Sequence, residues 1–433
     1  MKNLALSILT KTLKILARLT IKRYKPGVVG ITGNVGKTSA KEAIGAVLAA
    51  ERRTRASLKN FNNELGLPLS ILGDWDKTGE FLFWPRVLVC SIFNLIVKNK
   101  NYPEILVLEY GVDRAGDMSY LLEIARPQTG VFTAIGEMPV HIEFFTGPEA
   151  IFREKARIIS SIPATGFAVL NADDDMVMEA KKIARANVVT FGFSEHADLR
   201  ITNFSNFVDE RGGGISFKFT YGGSFVPVKI NGALGRAPAY AAAAASLVGL
   251  IFGMNLVRIT EALAGFTPPK GRQRIIKGIK NSIIIDDTYN SAPLAMMEAL
   301  TTLGSLKAVR KIAVLGDMLE LGKHTFEVHE HTGKLAAERC DVLFTVGVRG
   351  KIIAEAAERA GFPRKKIFTF MNIHEASMQI QQKIQKGDII LIKGSQGVRM
   401  ERVVKEIMAE PIMAQELLVR QDRSWLRKPG LYD

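Results

Sequence analysis

The stretch Val28-Val29-Gly30-Ile31-Thr32-Gly33-Asn34-Val35-Gly36-Lys37-Thr38-Ser39 constrains the fold more than any other part of the chain. A short apolar run of buried-strand type ends in a glycine-rich turn, and the turn opens into helix-like sequence over residues 40–50. Glycines at 33 and 36 let the backbone aim its N–H groups at an anion with no Cβ in the way, and the helix N-terminus adds partial positive charge. Lys37 can reach β- and γ-phosphates, and the Thr38 hydroxyl can ligate Mg²⁺. The full P-loop spacing asks for a glycine where Ile31 stands, so the match is to Gly33-x-x-Gly36-Lys37-Thr38. The bland alternative is a strand-to-helix turn with no ligand. Gly-Lys-Thr behind a β-run favours a nucleotide-phosphate site.

A chain of 433 residues has room for two or three domains. Two cysteines, Cys90 and Cys340, provide neither a disulfide framework nor metal-ligand spacing, which fits a reducing cytoplasm. The formal charge of +15 could serve nucleic acid, anionic lipid or a polyanionic substrate. No aromatic-interleaved basic stripe occurs, so no nucleic-acid partner is expected.

Residues 1–26 read as a basic amphipathic helix and hinge. Leu4, Leu6, Ile8, Leu9, Leu13, Ile15, Leu16, Leu19 and Ile21 form a broad apolar face, and Lys11, Lys14, Arg18, Lys22 and Lys25 recur on the other side. Lysines interrupt the apolar run, which excludes a signal peptide and a membrane span. Two readings weigh evenly: a helix lying on an anionic membrane surface, or one packed on the protein's own body or in a dimer.

Residues 27–267 alternate strand-type runs (105–108, 130–135, 167–170) with helix-length stretches, which predicts a mostly parallel sheet. Residues 81–97 are very apolar but carry Pro85, Arg86 and Asn94, and read as a packed helix. Residues 198–230 alternate around glycine clusters and predict antiparallel hairpins. Thr267-Pro268-Pro269 marks a boundary, and residues 268–410 contain five more strand-type runs, a second doubly wound α/β unit. Residues 411–433 form a basic tail.

Ligands in such sheets bind beyond the carboxyl ends of strands. Glu109 stands there and can hold Mg²⁺ beside phosphates, although alone it would read as an exposed or capping acid. His141, after the run ending at Ile135, reads equally as a metal or phosphate partner and as a surface residue. Lys155 would ordinarily be a solvated helix lysine. Asn62 and Asn63 can orient a polar substrate or close turns. Asp286–Asn290, Gly316–Glu320 and Lys393–Gly397 are polar loops that directly follow strands. His324, His329 and His331 lack the spacing of a structural zinc site.

Taken in order, these segments resemble the Mur ligase family, and within it the branch that adds D-alanyl-D-alanine. The resemblance rests on the phosphate loop, on Asn60-Phe61-Asn62-Asn63-Glu64, and on Leu108-Glu109-Tyr110-Gly111 with Arg114-Ala115-Gly116-Asp117. It continues in Asp286-Asp287-Thr288-Tyr289-Asn290, Gly316-Asp317-Met318-Leu319-Glu320, and Lys393-Gly394-Ser395 with Arg399-Met400-Glu401. It implies a central ATP-binding domain, a C-terminal Rossmann-like domain, and ATP with Mg²⁺ as cofactors. ATP would convert a muropeptide carboxylate to an acyl phosphate, and the amine of D-Ala-D-Ala would attack to give an amide.

The resemblance also implies residue roles. Gly33, Asn34, Gly36, Lys37, Thr38 and Ser39 would hold phosphates, with Lys37 at the γ-phosphate. Thr38 and Glu109 would hold one Mg²⁺ and His141 a second. Lys155 matches a lysine that some members carbamylate. Asn290 would contact adenine and Arg272 the nucleotide. Asn62 and Asn63 would face the acceptor, while Lys393 and Asp317 would help place the dipeptide. Members open with a domain that grips the UDP-sugar end of the acceptor. Here the phosphate loop starts near residue 30, so the basic helix is expected in that domain's position, with a lipid-linked or otherwise altered muropeptide as acceptor. Gly136-Glu137-Met138-Pro139-Val140-His141 carries an apparent insertion relative to the family. Two other readings stand beside this one: a related ligase adding another amino acid, of poly-γ-glutamate or folylpolyglutamate type, and a nucleotide-binding scaffold.

Overall fold

The computed structural model describes residues 2–57, 61–75, 82–138, 142–209 and 212–433, with residues 2–5 as backbone only. The apolar runs become two sheets. The first has the order β2-β3-β1-β4-β5-β6-β7-β8-β9. Its parallel part comprises β1 (Gly27–Thr32), β2 (Thr54–Ala56), β3 (Ile105–Glu109), β4 (Thr129–Phe132), β5 (Phe167–Asn171) and β6 (Asn187–Gly192). The strand β7 (Leu199–Asp209) joins β6 in parallel, and β8 (Gly212–Tyr221) and β9 (Ser224–Asn231) extend the same sheet as antiparallel hairpins. The hairpins predicted over 198–230 are therefore a continuation of the main sheet.

Strands β1, β3 and β4 are buried on both faces, which is why they read as unbroken apolar runs. One face packs on α2 (Lys37–Ala49) and the alanine-rich helix Arg236–Ile251, whose small side chains let it lie close against α2. The other packs on α1 (Lys2–Tyr24), α3 (Gly66–Leu72), α4 (Phe83–Ile96), α5 (Asp117–Ile124) and α6 (Pro148–Ser161).

The first helix is thus part of the body. Leu13, Leu16, Ala17 and Thr20 are buried, Lys14 pairs with Glu123 at 2.5 Å, and the Tyr24 hydroxyl donates to the Asn94 carbonyl at 2.7 Å. Each large aliphatic side chain removed from water in this way contributes about 1.5–3 kcal/mol. Residues 83–96 form the predicted helix, but only one of its faces packs; Phe83, Val87 and Ser91 are buried.

The second sheet has the order β10-β11-β15-β12-β13-β14. It comprises β10 (Arg274–Lys277), β11 (Ile283–Asp287), β12 (Lys311–Gly316), β13 (Val342–Val346), β14 (Ile367–Phe370) and β15 (Ile389–Lys393), parallel except for β10. The basic tail is ordered on this domain. Arg420 donates to the Thr288 carbonyl at 3.0 Å and to the Tyr289 carbonyl, and the Tyr432 hydroxyl donates to Asp317 at 2.6 Å.

Candidate active site

In the first sheet β1 lies between β3 and β4, and the connections leave in opposite directions, which opens a crevice at the carboxyl ends of these strands. The phosphate loop fills the β1 end of it. Gly33 has φ 139° and Gly36 φ 88°, and a Cβ on Gly33 would lie 2.1 Å from the Thr133 Oγ1. Thr133 pins the loop from β4 by donating to the Val35 carbonyl at 2.7 Å, and the Asn34 N–H donates to the Ala134 carbonyl at 2.6 Å. The loop is therefore prebuilt. The Lys37 ammonium turns back onto the carbonyls of Gly33 at 2.7 Å and Asn34 at 3.3 Å. Burial holds its pKa below the ordinary lysine value, and Glu109 partly opposes that shift.

Glu109 ends β3 and is buried. One carboxylate oxygen accepts from Thr38 Oγ1 at 3.2 Å and the other from Asn62 Nδ2 at 3.1 Å. Tyr110, next in sequence, is buried and donates to the Ala125 carbonyl at 2.7 Å, anchoring the strand end. Lys155 comes in from α6, also buried. Desolvation lowers its pKa to about 7, nearby Lys37 pushes the same way, and Asp113, Glu109 and Asp117 oppose. Its neighbour Glu154 accepts from the Gly116 and Met118 N–H groups, both at 3.0 Å, and so fixes the loop that carries Asp113.

These groups meet the second domain in one cavity of about 170 Å³. Lys37, Thr38, Asn62, Glu109, Asp113 and Lys155 line one side, and Arg272, Tyr289, Asn290 and Gln396 the other. The Arg272 guanidinium stacks 4.0 Å over the Tyr289 ring. A second cavity of about 490 Å³ continues past Gly36 and Ser39, between Phe193, Arg236 and Tyr240 on one side and Arg272, Gln273 and Glu298 on the other.

The residues fit a nucleotide and a divalent cation on three observations. Gly33 and Gly36 hold positive-φ backbone, and a Cβ on Gly33 would collide with Thr133, so the shape of the phosphate loop depends on glycine. Among the described residues the buried Asn34 Oδ1 has no hydrogen-bond partner. The adjoining hydroxyl and carboxylate of Thr38 and Glu109 are the hard oxygen donors that Mg²⁺ prefers.

Comparison with known proteins agrees with this geometry. The Mur ligase middle domain model matches residues 92–249, and the Mur ligase glutamate ligase domain model matches residues 271–396. The chain belongs to the Mur ligase family. It is 29% identical to the UDP-N-acetylmuramoyl-tripeptide–D-alanyl-D-alanine ligase of Bacillus subtilis over 92% of this chain and 79% of that one. The corresponding Escherichia coli ligase is 27% identical over 88% of this chain and 76% of its own length. Among solved structures, the MurF ligase of Thermotoga maritima in complex with ADP superposes with a TM-score of 0.76 and 28% identity, covering 92% of this chain and 83% of that one. A folylpolyglutamate synthase of Mycobacterium tuberculosis shares the fold at a TM-score of 0.60 and 17% identity.

Within this Mur ligase frame, the predicted residues fall into three groups. Lys37, Thr38, Glu109, Asn62, Lys155, Arg272 and Asn290 converge on the smaller cavity. Asn63, Lys393 and Asp317 are bonded within the protein. Asn63 accepts from the Leu65 and Gly66 N–H groups, closing the turn into α3. Lys393 is buried and donates to Asp287 at 2.7 Å and to the Asn290 carbonyl at 3.0 Å, so it shapes the loop that presents Asn290. Asp317 accepts from the Gly350 N–H at 2.9 Å and from Tyr432. His141 lies outside the described residues, as does Asn60. His329 is a core residue: Nε2 accepts from the Met318 N–H at 3.0 Å and Nδ1 meets the Thr325 carbonyl at 2.6 Å.

The wall of the larger cavity carries no motif that sequence alone reveals. Tyr240 and Arg236 sit in the first turns of a helix whose alanines signal only packing. Tyr240 donates to Asp173 at 2.7 Å, and Arg236 stacks 4.6 Å from Phe193. Gly235-Arg236 at that helix N-terminus, where it faces the phosphate loop, was the available signal.

Proposed function

We propose that this protein is an ATP-dependent amide ligase that joins D-Ala-D-Ala to a muropeptide carboxylate in cell-wall precursor synthesis. The observation that carries the reading is the single cavity in which Lys37, Thr38, Glu109 and Lys155 meet Arg272 and Asn290 of the second domain. ATP supplies a phosphoryl group that turns a carboxylate into an acyl phosphate, from which an amine displaces phosphate.

The chain's own residues meet the demands of that chemistry. Two anions must approach, so cations have to be clustered beforehand. Lys37 and Arg272 supply that charge from opposite domains. Thr38 and Glu109 would hold Mg²⁺ between them, and Asn62 keeps the Glu109 carboxylate oriented. Burial lowers the Lys155 pKa to about 7, which suits this amine to lose its proton; as a carbamate it would present an anion instead. Loop 287–290, braced by Lys393, would present Asn290 to the nucleotide. The larger cavity beside Tyr240 and Arg236 has room for the remainder of it.

For location we read a protein at work in the cytoplasm, where ATP is available, at the inner membrane surface, with α1 contributing exposed cations. Among the described residues no helix is long and apolar enough to cross a membrane.

Phosphate release from ATP tests the assignment. D-Ala-D-Ala plus UDP-MurNAc-tripeptide should both be required, and glutamate with folate or poly-γ-glutamate acceptors should give none. Turnover with the latter pair would shift the reading to another ligase, and no turnover with any pair would leave a nucleotide-binding scaffold.

A further inference from the structure

The face that α1 and α4 leave uncovered has a composition unlike the rest of the surface. The outward positions of α4 and its ends, Leu82, Val89, Ile92, Phe93, Ile96 and Val97, recur at helical spacing and are 48–74% exposed. Beside them α1 exposes Ile8, Ile15 and Leu19. The two helices pack together, and at their C-terminal ends Arg23 donates to the Ile96 carbonyl at 3.1 Å. Exposed large apolar side chains gathered on two packed helices are the kind of surface that marks an interaction site.

Charge decides what kind of partner. Residues 1–41 and 81–103 contain no aspartate or glutamate, whereas Lys11, Arg18, Lys22, Arg86, Lys98 and Lys100 rim the apolar positions, all exposed. A second copy seated on this face would bring like charges together. An anionic lipid surface would receive the apolar side chains among its acyl chains and the cations at its headgroups.

We propose that the paired outer faces of α1 and α4 form a docking surface for an anionic lipid bilayer, with α4 supplying most of the apolar contact. This sharpens the membrane location proposed above and rests on that part of the reading. It does not depend on ligation, because vesicle binding needs neither ATP nor muropeptide. The basic amphipathic pattern of residues 1–25 alone points to this role, but the inner side of α1 is core, so deleting the helix would take the buried Leu13 and Ala17 out of that core and test folding instead.

The test is co-sedimentation of the full chain with vesicles of phosphatidylcholine alone or mixed with phosphatidylglycerol. Binding should require phosphatidylglycerol and weaken about tenfold or more as salt shortens the Debye length from about 30 to about 3 Å. The exposed double variant Ile92→Glu/Phe93→Glu should lose binding while keeping its circular dichroism spectrum and its ATP turnover without vesicles. Arg18→Glu/Lys22→Glu should weaken binding on anionic vesicles only. Failure of the wild-type chain to bind phosphatidylglycerol at low salt would overturn the proposal, as would undiminished binding by the α4 variant. A concentration-dependent dimer abolished by Ile92→Glu/Phe93→Glu would also overturn it, in favour of a second copy as occupant.

Discussion

Two sets of polar residues at the carboxyl ends of the two sheets are held in different ways. At the first sheet, among the described residues, Asn34 keeps a buried oxygen without a partner and Lys37 donates to its own loop's carbonyls, and Glu109 accepts from Thr38 and Asn62 beside the cavity. At the second, Asp317 is bonded to Gly350 and Tyr432, Lys393 to Asp287, and Glu401 to both Arg399 and Arg420. Strand-end polar residues that look alike in sequence are therefore of two kinds. Asn34, Lys37 and Glu109 retain capacity to bind, and Asp317, Lys393 and Glu401 hold loops in place, while Asn290, in the loop after β11, borders the cavity with the first group.

Substitutions should separate the two kinds. The largest effect is expected for Lys37→Ala, with ligation falling about 10²–10³-fold, the usual loss when a preorganised charge-stabilising group is removed, and with an unchanged urea midpoint. Arg420→Ala should do the reverse first. It breaks a buried pair with Glu401 and frees the carbonyls of residues 288 and 289, so urea denaturation should show a loss of about 3 kcal/mol. If Lys37→Ala unfolded the protein and Arg420→Ala left stability intact, the contrast would collapse.

Lys155 is expected to act through pH. Burial lowers its pKa from 10.5 to about 7, so between these values the unfolded chain binds more protons than the folded one. Its contribution to stability therefore rises with pH from about 7 to about 10.5, a slope that Lys155→Met should remove from the pH dependence of the urea midpoint. The smallest effect is expected for Asn63→Ala, about 0.5–2 kcal/mol of stability from the turn into α3, with ligation per folded molecule unchanged. A large loss of acceptor affinity there would move Asn63 to the substrate side.

Much of the fold was legible because both sheets bury their central strands on two faces, leaving apolar runs such as 105–108 and 389–392 that are hard to misread. Short or mixed strands were not. β2 spans three residues and β6 carries Asn187 and Thr190, so neither stands out by hydrophobicity. At the site, the phosphate loop and Glu109 could be recognised because local backbone geometry forces particular residue types. Tyr240 and Arg420 could not, since their roles depend on what another domain or the tail brings beside them. The apolar residues of the first helix include Ile8, Ile15 and Leu19, which stay exposed, and periodicity alone could not say which of them face α3, α4 and α5.

The central claim is that the phosphate loop activates a carboxylate for amide formation. It is tested most directly by supplying muropeptide with an oxygen-18-labelled terminal carboxylate, together with ATP and D-Ala-D-Ala, and analysing the released phosphate by mass spectrometry. The account predicts one labelled oxygen in each phosphate, carried over when the amine displaces the acyl phosphate, in step with amide product. Unlabelled phosphate released at the same rate as ATP is consumed would contradict it.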